Sequence, residues 1–239
     1  KTRYIIEDDE FSQIDRWFSF FGQLRDHDAG CVLRIGTPID PFGNLVNGQG
    51  ESLAPDGRII DPSEYVRSDG TAMLDSARDA AYTRELGARI MESYHRNTVV
   101  MATQVVAHIF SRALVMQTEG LDLFARMRCR GEVQLRREDV LEQLARCRAT
   151  LLSLESEGKL VVGAAVRDGR PEEILQRAID AWRYHTRIVI REEGDALFVE
   201  DPPLLLFYHH RIVTHADRLA STEAEREAAI EMSRSWRGS

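Results

Sequence analysis

The spacing of apolar residues changes several times along the chain, and each change marks an element. Residues 2–6, Thr-Arg-Tyr-Ile-Ile, read as a short strand. Over residues 10–25, Phe11, Ile14, Trp17, Phe18, Phe21 and Leu24 recur three and four apart, the spacing of one helix face. Gly30 breaks that pattern, and "CVLRIGTPI" reads as a buried strand ending in a turn. Strand, helix, strand is the tail of an α/β unit. Residues 38–60 hold "DPFGN", "NGQGE" and "PDGR" and are expected to form a long loop.

From Asp61 onward the period is mostly helical. Asp61-Pro62-Ser63-Glu64 combines an aspartate cap, a proline at the first helical position and an acid in the first turn. Helices are predicted over 73–96 and 98–117, joined at Asn97 or Thr98, with a short one over 121–129. Residues 137–156 put Val140, Leu141, Leu144, Leu151 and Leu152 on one side of an amphipathic helix. "GKLVVGAAV" is strand-like, and Pro171 opens a helix over 171–184. "RIVIREEGDALFVEDP" alternates around Glu193-Gly194-Asp195 as a hairpin. Asp201-Pro202 starts a helix to about residue 219, and Thr222 with Glu225 is the capping box of a last one over 223–235.

The most apolar run, "YHRNTVVMATQVVAHIFSRAL", covers Tyr94 to Leu114. A bilayer span needs about 20 mainly apolar residues. Thr103, Gln104, His108, Ser111 and Arg112 interrupt this one, so it reads as a capped core helix. The aromatic face of helix 10–25 suits a membrane interface, but its polar side carries only Arg16 and Arg25. Packing against the flanking strands is the simpler reading.

Composition narrows the function classes. With 239 residues the chain can bury a real core, and its 39 acidic against 31 basic residues give a net charge of −8. That balance does not attract polyanions in general. Cys31, Cys129 and Cys147 are widely spaced and form no CxxC pair, as expected of reduced thiols in a cytosolic protein. The opening "KTRYIIEDDE" has no initiating methionine and no signal-peptide pattern, and it suggests either a trimmed chain or a piece of a longer polypeptide.

Candidate chemistry is sparse. His209, His210 and His215 are the tightest histidine cluster, but metal ligands on a helix need spacings of three or four to share a face. His95 and His108 read as partly buried histidines with hydrogen-bond partners. Asp26-His27-Asp28 reads as a solvated loop, since adjacent residues cannot easily aim at one another. There is no GxSxG elbow and no P-loop. No catalytic, cofactor-binding or metal-binding residue is therefore assigned. Residues 137–200 have a second meaning: helix, strand-like run, helix and hairpin resemble a winged helix, with 171–184 as groove reader and Arg187 and Arg191 on the wing. Residues 170–200 carry five arginines and seven acids. Asp180, Glu192, Glu193 and Asp195 stand where phosphates would have to approach, so nucleic acid is not expected as a partner.

The order of features resembles one family. "QLRDHDAGCVLRIGTPI", "DPSEYVR", "ARIMESYHRNTVVMATQVVAHIFSRAL", "LRREDVLEQLARCRATL" and "GDALFVEDPPLLLFYHHRIVTHA" follow one another. This is similar to the region after the catalytic motifs of long bacterial glycerol-3-phosphate O-acyltransferases, which form lysophosphatidate. In that family a strand ending in a Gly-x-Pro turn closes the acyltransferase sheet, and Gly36-Thr37-Pro38 matches it. Asn97, Val99, Val100, Val105, Val106 and Ala107 match a following helix. Arg137-Glu138-Asp139-Val140-Leu141 resembles the opening of another. Tyr208, Ile212 and His215 keep the skeleton of a Tyr-Arg-Asn-Asn-x-x-His element, altered here to Tyr208-His209-His210-Arg211.

The catalytic His-x4-Asp block is not met. Five positions after the histidines stand Val32, Val100, Ala113, Ile190, Thr214, His215 and Ala220, none of them aspartate. The family's Gly-rich and Arg-rich blocks are also missing.

The resemblance thus implies a C-terminal, non-catalytic portion of such an enzyme of phospholipid biosynthesis. The implied fold is mainly α with minor β. Residues 1–60 are the tail of an α/β acyltransferase-type domain plus loop, and 61–239 a helical C-terminal domain with a small winged-helix-like hairpin. Acyl-carrier protein or acyl-CoA and glycerol 3-phosphate are implied partners of the missing catalytic part. A membrane surface or a second copy is an implied contact, and the implied location is cytoplasmic, peripheral on the inner face of the membrane. The alternative is a winged-helix-type binding or regulatory module.

Overall fold

In a computed structural model the described residues are 32–183, 185 and 187–220. The chain divides into two compact units, Lys1–Leu33 and Arg34–Ser239. The strand read at 2–6 and the helices read at 10–25 and 223–235 lie outside the described residues.

The expected loop 38–60 is a set of small hairpins. Strands β1 (Leu45–Val46), β2 (Ser52–Leu53) and β3 (Ile59–Ile60) pair antiparallel in that order. Side chains make the turns. Asp40 Oδ1 accepts from the backbone N–H of Phe42 at 2.8 Å and of Asn44 at 3.0 Å. Asn47 Oδ1 does the same for Gln49 and Glu51. Gly50 and Gly57 both sit at φ +84°, which closes the two reversals. The punctuation read as loop is thus hairpin chemistry. Conversely, the described part of "CVLRIGTPI" is not a buried strand. Leu33 and Ile35 are 87% and 89% exposed, and among the described residues only Ile39 forms a bridge, to Leu45.

After a 3-10 turn at Pro62–Val66, capped by Asp61 as expected, β4 (Arg67–Ser68) and β5 (Thr71–Ala72) form a small ribbon. Helix α1 (Ser76–Asn97) starts where Asp75 Oδ1 accepts from Ala77 and Arg78 N–H. Its 22 residues include none that is buried. Thr98 ends it, and strand β6 (Val99–Val100) intervenes before α2 (Ala102–Gln117). The second helix therefore starts later than the pattern suggests. Val99 and Val100 are β-branched and pair in parallel with Val161 and Val162.

The core helix is α2. It buries Val105, Val106, Ile109, Phe110 and Leu114, each at 1% exposure or less. Full burial of such side chains is worth about 1.5–3 kcal/mol apiece. No helix among the described residues is long and apolar enough to cross a membrane. Around α2 follow α3 (Leu123–Arg126), β7 (Gln134–Arg136), α4 (Arg137–Ser156), β8 (Val161–Val162), α5 (Ala164–Arg167) and α6 (Pro171–Trp182). The chain continues through β9 (Ile190–Glu193), β10 (Ala196–Val199), α7 (Pro202–His209), a 3-10 segment His210–His215 and α8 (Ala216–Leu219).

β9 and β10 form the hairpin read from the sequence. β10 is the middle strand of a sheet ordered β7-β10-β9, with Leu197 opposite Leu135 and Phe198 opposite Arg191. The third strand of that sheet is β7, before α4, whereas β8, the strand-like run between α4 and α6, pairs with β6 instead. The fold is mainly helical with small sheets.

Candidate functional site

The most unusual chemistry lies inside α2. His108 falls on its buried face, and His209 ends α7, the helix packed alongside. Both side chains are completely buried, with rings stacked at 5.1 Å between centroids. His108 Nδ1 and His209 Nδ1 are 3.2 Å apart, and Arg112 Nη1 lies 3.5 Å from His108 Nε2. Guanidinium can only donate. His108 Nε2 therefore accepts, its proton sits on Nδ1, and that N–H donates to His209 Nδ1. His209 in turn carries its proton on Nε2, a buried nitrogen with no hydrogen-bond partner.

Burial dominates the electrostatics. It pushes His108 well below its ordinary pKa, helped by His209 and the Arg112 cation. His209 falls to about 4, through burial first and then His210 and Arg112. Both rings are neutral at pH 7. Arg112 also donates to Leu219 O at 3.1 Å and to Gln143 Oε1 at 2.9 Å, so it links α2 to α8 and α4. The pair has no exposed surface, and its contacts tie α2 to α7 inside the core.

A second constellation joins segments far apart in sequence. Arg34 Nε donates to Asn97 Oδ1 at 2.8 Å, and Asn97 Nδ2 donates to Ser93 O at 2.8 Å. Gly36 lies directly against this amide: a Cβ there would stand 2.8 Å from Asn97 Nδ2. The Gly-x-Pro turn is thus seated on the end of α1.

A third site is a cavity of about 370 Å³ between the end of α6 and β9. Trp182, Arg183, His185, Arg187 and Arg191 contribute to its wall. His185 Nε2 is 3.1 Å from the Tyr208 hydroxyl. Arg191, read as a wing residue, donates from Nε to Glu200 at 2.8 Å and pairs with Glu193. Glu200 is held below the usual carboxylate range, chiefly by Arg191 and also by Arg130.

The histidine cluster separates in space. His209 turns inward, while His215, half-buried in the following 3-10 segment, is held below its ordinary pKa mainly by burial. No group of three or more metal-ligating side chains occurs among the described residues. Cys129 and Cys147 are buried and form no disulfide. The His108–His209 pair escapes sequence reading because 101 residues separate its members. The available signal was one histidine inside each of two apolar runs.

No family model matches the chain, and neither a curated protein nor a solved structure matches it.

Proposed function

We propose that the chain is the C-terminal, non-catalytic portion of a glycerol-3-phosphate 1-O-acyltransferase-like enzyme of phospholipid biosynthesis. In this reading it braces the catalytic domain and contacts the membrane or the acyl donor. The observation that supports it most is the seat of Gly36 on Asn97, with Arg34 bonded to the same amide. Gly36-Thr37-Pro38 and Asn97 both carry the family resemblance, and about 60 residues of sequence separate them. In this reading the contact ties the Gly-x-Pro segment to the helix that enters the helical domain. α1, with no buried residue, leaves surface free for the bracing role.

Acyl transfer from acyl-CoA or acyl-carrier protein to glycerol 3-phosphate tests the reading. The complete encoded polypeptide is expected to transfer, and the 239-residue chain alone is not. A silent complete polypeptide refutes the family. Transfer by the chain alone refutes its non-catalytic role.

The β7-β10-β9 order favours a second reading, a winged-helix-type binding module. The outward residues of α6 include Glu172, Glu173 and Arg177, and the wing tip exposes Glu193 and Asp195. Such a surface repels phosphate backbones, so a protein partner suits it better than DNA. A gel-shift titration at low salt decides: tight binding that weakens steeply with salt is the signature of a nucleic-acid reader.

A further inference from the structure

We propose that the outer face of helix α1 is a self-association surface, on which a second copy of this chain docks antiparallel about a two-fold axis. The helix packs by one face. Tyr82, Leu86, Ile90, Ser93 and Asn97 are half-buried along it, at helical spacing. A helix face left to water ordinarily carries charged residues. The opposite face of α1 instead reads Ala77, Ala81, Arg84, Ala88, Met91 and His95, with one permanent charge in about five turns. All of these but His95 are exposed. Their steps are alternately four and three residues, the heptad spacing of a coiled-coil seam.

The order of sizes along the seam selects the occupant. Its small residues lie toward the start of α1 and its larger ones toward the end. Antiparallel pairing therefore sets a small residue against a large one in every layer. Ala81 meets Met91 of the second copy, Ala88 meets its Arg84, and Ala77 meets its His95. The two-fold axis repeats each of these contacts. A parallel pair would set Ala81 on Ala81 and Met91 on Met91, loose at one end and crowded at the other. The exposed apolar residues beside the seam agree. Leu74 is 99% exposed just ahead of the helix, and Tyr94 is 67% exposed near its end. Only antiparallel pairing brings the two ends together.

Charge selects the same partner. Arg78 pairs with Asp79, and Arg89 and Arg96 both pair with Glu92. Arg84 and Glu85 are the two charges of α1 that form no ion pair among the described residues. In the antiparallel pair Arg84 lies over Ala88 of the second copy. That copy's Glu85 and Glu92 flank the spot, three residues before Ala88 and four after it. A seam of one helix pair is small among specific interfaces, so the dimer is reversible, with a Kd of about 10–100 μM. The inference does not depend on the acyltransferase reading.

The test uses the full 239-residue chain. Sedimentation velocity over about 1–500 μM reads the monomer–dimer equilibrium. The expected result is a reversible dimer at the upper end of that range. Ala88→Lys sets a cation against Arg84 of the second copy and should weaken the dimer about tenfold or more. Arg84→Glu should weaken it as well, and R84E/E85R, which exchanges the two charges, should restore it to within about threefold. All three positions are exposed, so circular dichroism and the thermal midpoint in dilute solution should not change. Direction is read by cysteine crosslinking in a Cys31→Ser background, since Cys129 and Cys147 are buried. A81C chains mixed with M91C chains should crosslink on mild oxidation, and A81C chains alone should not. A monomer throughout the range, a dimer unaltered by A88K, or a double exchange no better than R84E overturns the proposal. Crosslinking of A81C chains alone overturns it in favour of a parallel pair. A chain that stays monomeric and co-sediments with phosphatidylcholine vesicles overturns it in favour of a membrane surface.

Discussion

Acidification from pH 7 to pH 5 should destabilise this protein before its carboxylates begin to protonate. An unfolded histidine titrates near 6.5, whereas folded His209 titrates at about 4. Its folded pKa is the lower one. The unfolded state therefore takes up the proton first, and stability is complete above about pH 6.5 and lost as pH falls toward 4. Linkage gives a loss of about 2 kcal/mol at pH 5 and about 3 kcal/mol at pH 4 for this one group. His108, pushed well below its ordinary pKa mainly by burial, adds to the loss with the same sign. A loss of about 2 kcal/mol or more is a large part of the roughly 5–15 kcal/mol typical of a domain. His215 adds to it with the same sign. Glu155, Glu157 and Glu200 are all held below their ordinary value of 4.5, so their ion pairs survive through this window. Urea unfolding at the two pH values measures the difference. The doubly substituted H108Q/H209Q protein keeps polar side chains of similar size and should lose most of the slope. In the wild type, the two buried rings should show no proton-NMR titration near pH 6.5. Equal urea midpoints at both pH values, or two buried histidines titrating near the ordinary value, would refute the reasoning.

Two further substitutions probe tight backbone approaches. A Cβ at Gly169 would stand 2.3 Å from Ala165 O, a backbone atom that cannot rotate away, so Gly169→Ala should cost at least about 2 kcal/mol in chemical denaturation. Failure to destabilise would argue against a close approach of Gly169 to Ala165 O. At Gly36 the opposing atom is a side chain, Asn97 Nδ2 at 2.8 Å, so Gly36→Ala should cost about 1–3 kcal/mol by displacing that amide. Because Asn97→Ala removes the obstacle, the double substitution should cost less than the sum of the two single ones, and strict additivity would argue against the contact.

How much was legible depended on whether the signal was local. Helix α4 matches its expected bounds, 137–156, because its apolar residues recur at helical spacing over five turns. The hairpin β9–β10 turns where Gly194 takes a positive φ, a feature written in the Glu-Gly-Asp sequence. The hairpins of 38–60 were missed because their strands are two residues long, too short for alternation to register. The strand expected at 31–39 failed for the opposite reason. Its apolar pattern is clear, but a strand needs a neighbour, and among the described residues none pairs with 32–38. The histidine pair and the α6–β9 cavity are products of tertiary packing, and no window of sequence contains either.

Arg112 connects these threads. It argues against a membrane span in the most apolar run, and at 2% exposure it is nonetheless inside the protein. A buried cation is costly unless its donors are used. Here they reach Leu219 O, Gln143 Oε1 and His108 Nε2, which come from three different helices. The contact with His108 also sets the tautomer, and through it the direction of the hydrogen bond to His209. A slip of α7 by one residue along α2 would break that bond and leave a second ring nitrogen buried without a partner. An interface of apolar side chains alone, such as Val106, Phe110 and Leu205 of the same core, would tolerate such a slip far better. The polar residues in the core helix therefore specify the register of α2 against α7 and α8.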